Sequence, residues 1–247
     1  MAVKSALANR RILVIGGSSG IGLATAYAAA QQGARVAIAG RDAARLKAAA
    51  DRIGENVETY RVDISKEGRA KQLFSRVGKL DHLILTAADG VFKPFLDTDR
   101  ADFSGAIDSK LWGSYNTVRY GVPCLKRRGS VTLTSGCAAH KPLEGLSPFA
   151  TANGAIEAMC KTLAFELAPI RINTISPGII ETPVFDGMPK ADRTALFRSV
   201  GRAVSIGRVG RADELAEAYL YLMTNTYTTG VVLEVDGGAK LARKPLW

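Results

Sequence analysis

The chain has 247 residues, 47% apolar and 23% charged, and 33 Lys and Arg against 23 Asp and Glu give a formal net charge of +10. Such a composition buries a full core and excludes intrinsic disorder, and the length fits one or two domains. The bases are scattered, and the densest groups, Lys126-Arg127-Arg128 and Arg208 to Arg211, lack interleaved aromatics, so a solvated basic surface is expected and not a nucleic-acid face.

Short β-rich runs alternate with longer helical patterns. Ile12 to Ile15 reads as a buried first strand ending in glycines, and Ile21 to Gln32 as an Ala-rich helix stopped by Gly33. Arg35 to Ala39 is a second strand, followed by a helix from about Asp42, its expected N-cap. Val57 to Val62 is a third strand, Lys66 to Val77 a helix and Leu80 to Leu85 a fourth strand. A long helix is expected over Ala101 to Leu125, with Pro123 near its end, and Ser130 to Thr134 is the next strand. Phe149 to Leu167 is a long helix stopped by Pro169, and Arg171 to Ile175 is a strand halted by Ser176-Pro177-Gly178. Ala191 to Val200 and Asp213 to Met223 read as helices, and Val231 to Val235 as a last strand. This alternation predicts an α/β fold: a single doubly wound parallel sheet, Rossmann-like, with helices on both faces, in one domain over residues 1–247. Ligands in such sheets bind at the carboxyl ends of the strands.

The three cysteines, Cys124, Cys137 and Cys160, are far apart with no C-x-x-C, and the two histidines are His82 and His140. Neither a disulfide framework nor a metal site is expected, and a reducing cytoplasm fits best. No stretch approaches the roughly 18 apolar residues of a transmembrane helix, so no membrane partner is expected. The first apolar run leads straight into a glycine turn and reads as a strand, not a signal peptide.

That turn is Gly16-Gly17-Ser18-Ser19-Gly20-Ile21-Gly22, placed between a strand and a helix. Glycines let the backbone approach a ligand closely, and the free amides and dipole of a helix start favour a pyrophosphate. The spacing is G-x-x-x-G-x-G. It resembles the short-chain dehydrogenase/reductase family, and the resemblance extends over nearly the whole chain. Asp63-Ile64 resembles the family's adenine-contacting pair. Asn173-Thr174-Ile175-Ser176-Pro177-Gly178 with Thr182 resembles its nicotinamide-side motif. Ile206-Gly207-Arg208-Val209-Gly210 and Val235-Asp236-Gly237-Gly238 resemble its C-terminal signatures.

The second strand ends in Ala39-Gly40-Arg41. An acid there would bond a ribose 2′-hydroxyl and repel a 2′-phosphate. Gly40 removes the acid, Arg41 offers a charged fork and Ser18 a hydroxyl, so NADP(H) is expected over NAD(H). The candidate cofactor-binding residues are Gly16, Ser18, Ser19, Gly20, Ile21, Gly22, Arg41, Asp63, Ile64, Ala87, Ala88, Asn153, Pro177, Gly178 and Thr182.

The chain departs from the family at its chemical core. The family uses Ser, Tyr and Lys, usually with a helper Asn, the Tyr and Lys lying at i and i+4 on one helix face. The serine is kept as Ser135, but the Y-x-x-x-K segment reads Phe149-Ala150-Thr151-Ala152-Asn153. Phe149 cannot donate a proton, while the Asn153 amide can still bond a cofactor ribose. The family's N-N-A-G reads Leu85-Thr86-Ala87-Ala88, the threonine that usually opens the glycine motif is Ile15, and the helper asparagine aligns with Lys110. Lys110 and Ser135 are therefore the candidate catalytic residues. Burial can shift the lysine's pKa, and its ammonium can stabilise an oxyanion or pass a proton through water while Ser135 holds a carbonyl. Lys110 can equally be structural, bonding carbonyls of its own helix or snorkelling outward. His140, Lys141 and Glu144 are expected to rim the pocket, and Cys137 to be packing. The segment at about 183–208 is where the resemblance implies a substrate lid, and Phe185, Met188 and Phe197 suggest an apolar pocket or core contacts.

The expected function is an NADP(H)-dependent oxidoreductase that passes hydride to a carbonyl or imine-like small molecule with a non-standard proton donor. The alternatives are a non-catalytic NADP(H)-binding sensor or scaffold protein, and a cofactor-assisted lyase, isomerase or cyclase. The resemblance also implies a homotetramer or homodimer built on the two longest helices.

Overall fold

The computed structural model describes residues 6–243 and 245–247. In chain order it runs β1 (Arg11–Ile15), α1 (Gly20–Gln31), β2 (Arg35–Gly40), α2 (Ala43–Ile53), β3 (Glu58–Arg61), α3 (Glu67–Arg76) and β4 (Leu80–Leu85). It continues with α4 (Arg100–Ala106), α5 (Gly113–Gly121), β5 (Leu125–Thr134), α6 (Ser147–Glu166), β6 (Arg171–Pro177), β7 (Ile180–Glu181), α7 (Lys190–Ala203), β8 (Gly210–Arg211), α8 (Ala212–Thr224) and β9 (Val232–Val235). Among the described residues, seven strands form one parallel sheet in the order β3-β2-β1-β4-β5-β6-β9.

Alternating side-chain direction along each strand explains the two core faces. Leu13 and Ile15 join Leu83, Leu85, Val131 and Leu133 under Phe74 of α3, Val118 of α5 and Ile156 of α6. Ile12 and Val14 join Val36, Ile38 and Ile84 under Ala26 and Ala29 of α1, Leu46 of α2 and Leu215 and Tyr219 of α8. Both faces are covered, which is why residues 12–15 of β1 and 83–85 of β4 read as apolar runs. Each fully buried Leu or Ile contributes about 1.5–3 kcal/mol relative to exposure. The expected N-cap at α2 is present, with Asp42 accepting from the Arg45 backbone N–H at 3.0 Å.

Two expectations are corrected. The helix expected over Ala101 to Leu125 is interrupted. Asp99 and Asp102 form a capping box that starts α4, a π-helical turn at Ile107–Trp112 follows Ala106, and α5 ends at Gly121. Pro123 lacks the N–H a helix would need there, and the chain enters β5 at Leu125 rather than Ser130. Leu125 pairs with Leu80 across a register irregularity, so the strand is longer than its apolar run. A small parallel pair of β7 with β8, two residues each, also forms, which no periodicity announces.

Candidate active site

The sheet order reverses between β1 and β4, so a crevice opens at their carboxyl ends. A cavity of about 430 Å³ lies there, and all the cofactor and catalytic candidates drawn from the sequence line it.

One half is built by backbone. Gly16 sits at φ +85°, a left-handed conformation. A Cβ on Gly22 would lie 2.2 Å from the Gly16 carbonyl and 2.4 Å from Thr86 Oγ1, so only glycine lets α1 start against the turn. Ser18, Ser19, Gly20 and Ile21 complete the loop around the N-terminus of α1. After β2, Gly40 leaves the wall open beside Ser18, and the exposed Arg41 guanidinium pairs with Asp89 beyond β4. After β3, Asp63 Oδ1 accepts from Ser65 Oγ at 2.7 Å, and Asn116 Nδ2 donates to the Ile64 carbonyl at 2.9 Å. Asn116, buried on α5, fixes this loop and was not singled out from the sequence. Ala87 and Ala88 follow β4, and Pro177, Gly178 and Thr182 close the far side.

The other half carries the titratable groups. The π-helical turn presents Lys110 inward, 6% exposed, and its Nζ donates to the Ser135 carbonyl at 2.9 Å. The lysine therefore neither bonds its own helix nor snorkels outward. Two of its three N–H groups have no protein partner among the described residues. Burial draws its pKa down to about 8, partly opposed by Cys137 and Glu157. Ser135, 3% exposed at the end of β5, donates its Oγ–H to Glu157 Oε1 at 2.7 Å, and Glu157 Oε2 lies 2.8 Å from His140 Nε2. Glu157 was also not singled out, although Phe149, Asn153 and Glu157 at i, i+4 and i+8 share one face of α6. Burial pushes the Cys137 thiol up to about 11, which leaves it an unreactive packing group.

Phe149 occupies the wall with no hydroxyl. Its ring lies 5.5 Å from Phe92, which lies 6.3 Å from Phe185, itself edge-on to Phe197 at 5.4 Å. Gly90 makes room, since a Cβ there would lie 2.6 Å from Phe149 Cζ. Of Phe185, Met188 and Phe197 in the 183–208 segment, Phe185 lines the cavity, Phe197 stands behind it and Met188 is not on the wall. The expectation that His140, Lys141 and Glu144 rim the pocket is corrected: none lines it. Lys141 donates to the Ala242 carbonyl, Glu144 faces a separate hollow with Pro245, Leu246 and Trp247, and His140 is drawn to Glu157. The connection after β5 turns them away through a short 3₁₀ turn at Cys137–Ala139.

The residues fit a bound dinucleotide on the chain's own evidence. Asn153 Oδ1 is buried without a partner among the described residues, an acceptor held ready for a hydroxyl donor. The Gly16 to Gly22 turn forms a cradle that a Cβ at Gly22 would fill. Among the described residues, no group of three or more His, Cys, Asp or Glu is placed to hold a metal ion. No described helix is long and apolar enough to cross a membrane.

Comparison with known proteins agrees with this geometry. A family profile described as Enoyl-(Acyl carrier protein) reductase matches residues 16–240. The chain is 34% identical over 245 residues to a short-chain dehydrogenase/reductase of Stachybotrys chlorohalonatus, covering 93% of this chain and 96% of that one. It is 32% identical over 241 residues to the 3-oxoacyl-[acyl-carrier-protein] reductase of Thermotoga maritima, covering 92% and 96%. Among solved structures it is similar to a small-chain dehydrogenase in complex with NADPH, at 35% identity and a TM-score of 0.80, covering 95% of this chain and 100% of that chain. It is also similar to the MalC Reductase/Diels-Alderase from Malbranchea aurantiaca, at 28% identity and a TM-score of 0.88, covering 96% and 99%.

Proposed function

The chain belongs to the short-chain dehydrogenase/reductase family, and from that premise we propose that it is an NADP(H)-dependent oxidoreductase acting on a carbonyl or imine-like small molecule, with a proton source other than a phenol. The observation that carries this reading is the pairing of a complete dinucleotide cradle with Ser135 and a buried Lys110 on the same cavity. The reduced cofactor supplies hydride when bound. Gly16 to Gly22 and Asn153 hold it, and Ser135 Oγ holds the reacting oxygen or nitrogen. Lys110, with its pKa near 8, stabilises the charge that develops there and can release a proton near neutral pH. An iminium substrate needs hydride alone, so the loss of the tyrosine costs least in that chemistry. The segment at 183–208 serves as the lid, with Phe185 at its inner face. We also expect a cytoplasmic homo-oligomer with no nucleic-acid or membrane partner. The test is NADPH oxidation across carbonyl and imine panels, and tight cofactor binding without turnover of any of them would end the enzymatic reading.

The NADPH complex of a relative supports the choice of cofactor, and Arg41 supplies the reason in this chain. A 2′-phosphate must compete with Asp89 for the Arg41 guanidinium, and both side chains are more than half exposed, so screening limits the contact. Arg41→Ala is expected to weaken NADPH binding about 10- to 30-fold and to leave NADH within about threefold. Calorimetry with both cofactors measures this.

The hydroxyl-free Phe149 favours one second reading, a non-catalytic NADP(H)-binding sensor or scaffold. It predicts cofactor binding with no hydride transfer in the parent chain, and carbonyl reduction gained by Phe149→Tyr with Asn153→Lys. A parent that already turns over rejects it.

A further inference from the structure

Ser135 has a route to solvent that the missing phenol–amine pair does not explain. Its hydroxyl meets Glu157 Oε1 at 2.7 Å, and Glu157 Oε2 meets His140 Nε2 at 2.8 Å. Ser135 and Glu157 are 3% and 6% exposed, whereas the His140 side chain is 29% exposed. The three groups thus run unbroken from the cavity wall, through a buried carboxyl, to a ring edge in contact with water. Among the described residues Lys110 has no such path, since its ammonium is tied to the Ser135 backbone carbonyl. Glu157 costs several kcal/mol to bury as a charge unless it is paired, and both of its oxygens are. An apolar residue at this position would anchor α6 equally well, so the paired acid calls for a role beyond packing.

We propose that His140 and Glu157 form a proton relay that recharges Ser135, making the Ser135 hydroxyl the group that protonates the reduced substrate. This rests on the reading of Ser135 as the group that holds the reacting atom. As hydride adds to the carbonyl carbon, the C=O π pair moves to oxygen, and that oxygen takes the Ser135 Oγ proton. Ser135 takes a proton from the Glu157 carboxyl, which has taken one from His140 Nε2 and delivered it by turning about its Cγ–Cδ bond. The product has gained one hydride and one proton, Glu157 is again a carboxylate, and His140, left neutral, regains its proton from water. In this relay Lys110 keeps its proton and supplies only positive charge beside the developing oxyanion, so the proton it could release is not the one transferred. The relay residues touch neither substrate nor cofactor and act only through Ser135.

The chain's two histidines make the network directly observable. His82 is buried against Ser130, its pKa pushed down to about 4 by burial, and serves as an internal reference. In full-length protein with NADP+, labelled at the histidine ring nitrogens, Ser135→Ala should shift the His140 signals and leave His82 in place. Glu157→Gln should abolish that response. Unmoved His140 signals in Ser135→Ala would overturn the relay whatever the activity. Turnover is then measured with NADPH and 9,10-phenanthrenequinone as an activated carbonyl probe. Glu157→Gln and His140→Ala should each lower kcat roughly 10- to 100-fold and raise the solvent isotope effect, with NADPH affinity and melting temperature unchanged, and free imidazole should restore His140→Ala. An unchanged kcat, or a loss with no isotope effect and no rescue, reduces Glu157 to a structural clamp and overturns the relay while the oxidoreductase reading stands. A wild-type protein that binds NADPH and reduces nothing overturns both.

Discussion

Lys110→Met should lower kcat for NADPH-dependent carbonyl reduction roughly 100- to 1,000-fold, the scale of losing one oxyanion-stabilising donor, with NADPH affinity within about threefold of wild type. Methionine keeps the length and apolar stem of the side chain, so the π-helical turn at Ile107–Trp112 keeps its packing while the charge is lost. The ammonium lies at the Ser135 carbonyl, inside the cavity and away from bulk water, where a fixed charge acts in low dielectric. The charge is present below about pH 8 and absent above it, so turnover should fall as pH rises through that value. Lys110→Met should lack this limb of the profile. The sign for stability is opposite. The folded lysine releases its proton near 8 and the unfolded one near 10.5, so between these values the unfolded chain holds more protons and folding strengthens as pH rises. Denaturant titrations of wild type and Lys110→Met should therefore converge or cross with rising pH, and parallel curves would argue against the burial of this charge.

Gly22→Ala should raise the NADPH Kd by more than about 100-fold and lower the melting temperature by about 5 °C. The added methyl group would sit 2.2 Å from the Gly16 carbonyl oxygen and 2.4 Å from Thr86 Oγ1. Neither is the far end of a flexible chain: Thr86 Oγ1 is bonded to the Ile15 carbonyl at 3.2 Å, and Gly16 is tied to β2 through Ala39. The turn must move, which costs about 1–3 kcal/mol of overpacking, and each kcal/mol is about 2–4 °C in a domain of this size. The larger loss falls on binding, because the amides that would meet the pyrophosphate are those displaced. Calorimetry with NADPH and a thermal melt measure the two parts separately. Full cofactor affinity in Gly22→Ala would contradict the cradle.

Much of this architecture is written in local pattern. The buried stretches 12–15 of β1 and 83–85 of β4 are apolar runs because both sheet faces are covered, and the glycine spacing from Gly16 to Gly22 is forced by close backbone approach, so each is legible without coordinates. That Phe149 carries no hydroxyl and Asn153 no amine is legible in the same way, since a residue type either carries such a group or does not. Where pairing rather than composition governs, the sequence was silent or misleading. β5 begins at Leu125 because Leu80 pairs with it, and β7 and β8 exist only through one another. Lys110 was ambiguous by type, and only the π-helical turn, a backbone change with no sequence signature, turns it into the cavity. His140 was expected at the pocket rim, yet the turn at Cys137–Ala139 sends it behind the wall, where it meets an acid 17 residues along the chain on α6 (His140 to Glu157). By itself, then, the sequence determined the parallel sheet, the glycine turn after β1 and the residue types at Phe149 and Asn153, all of which depend on residue type and short-range spacing. Only the tertiary structure decided which charged groups stand together in the cavity wall, because contacts between distant segments depend on how strands and helices are brought into register.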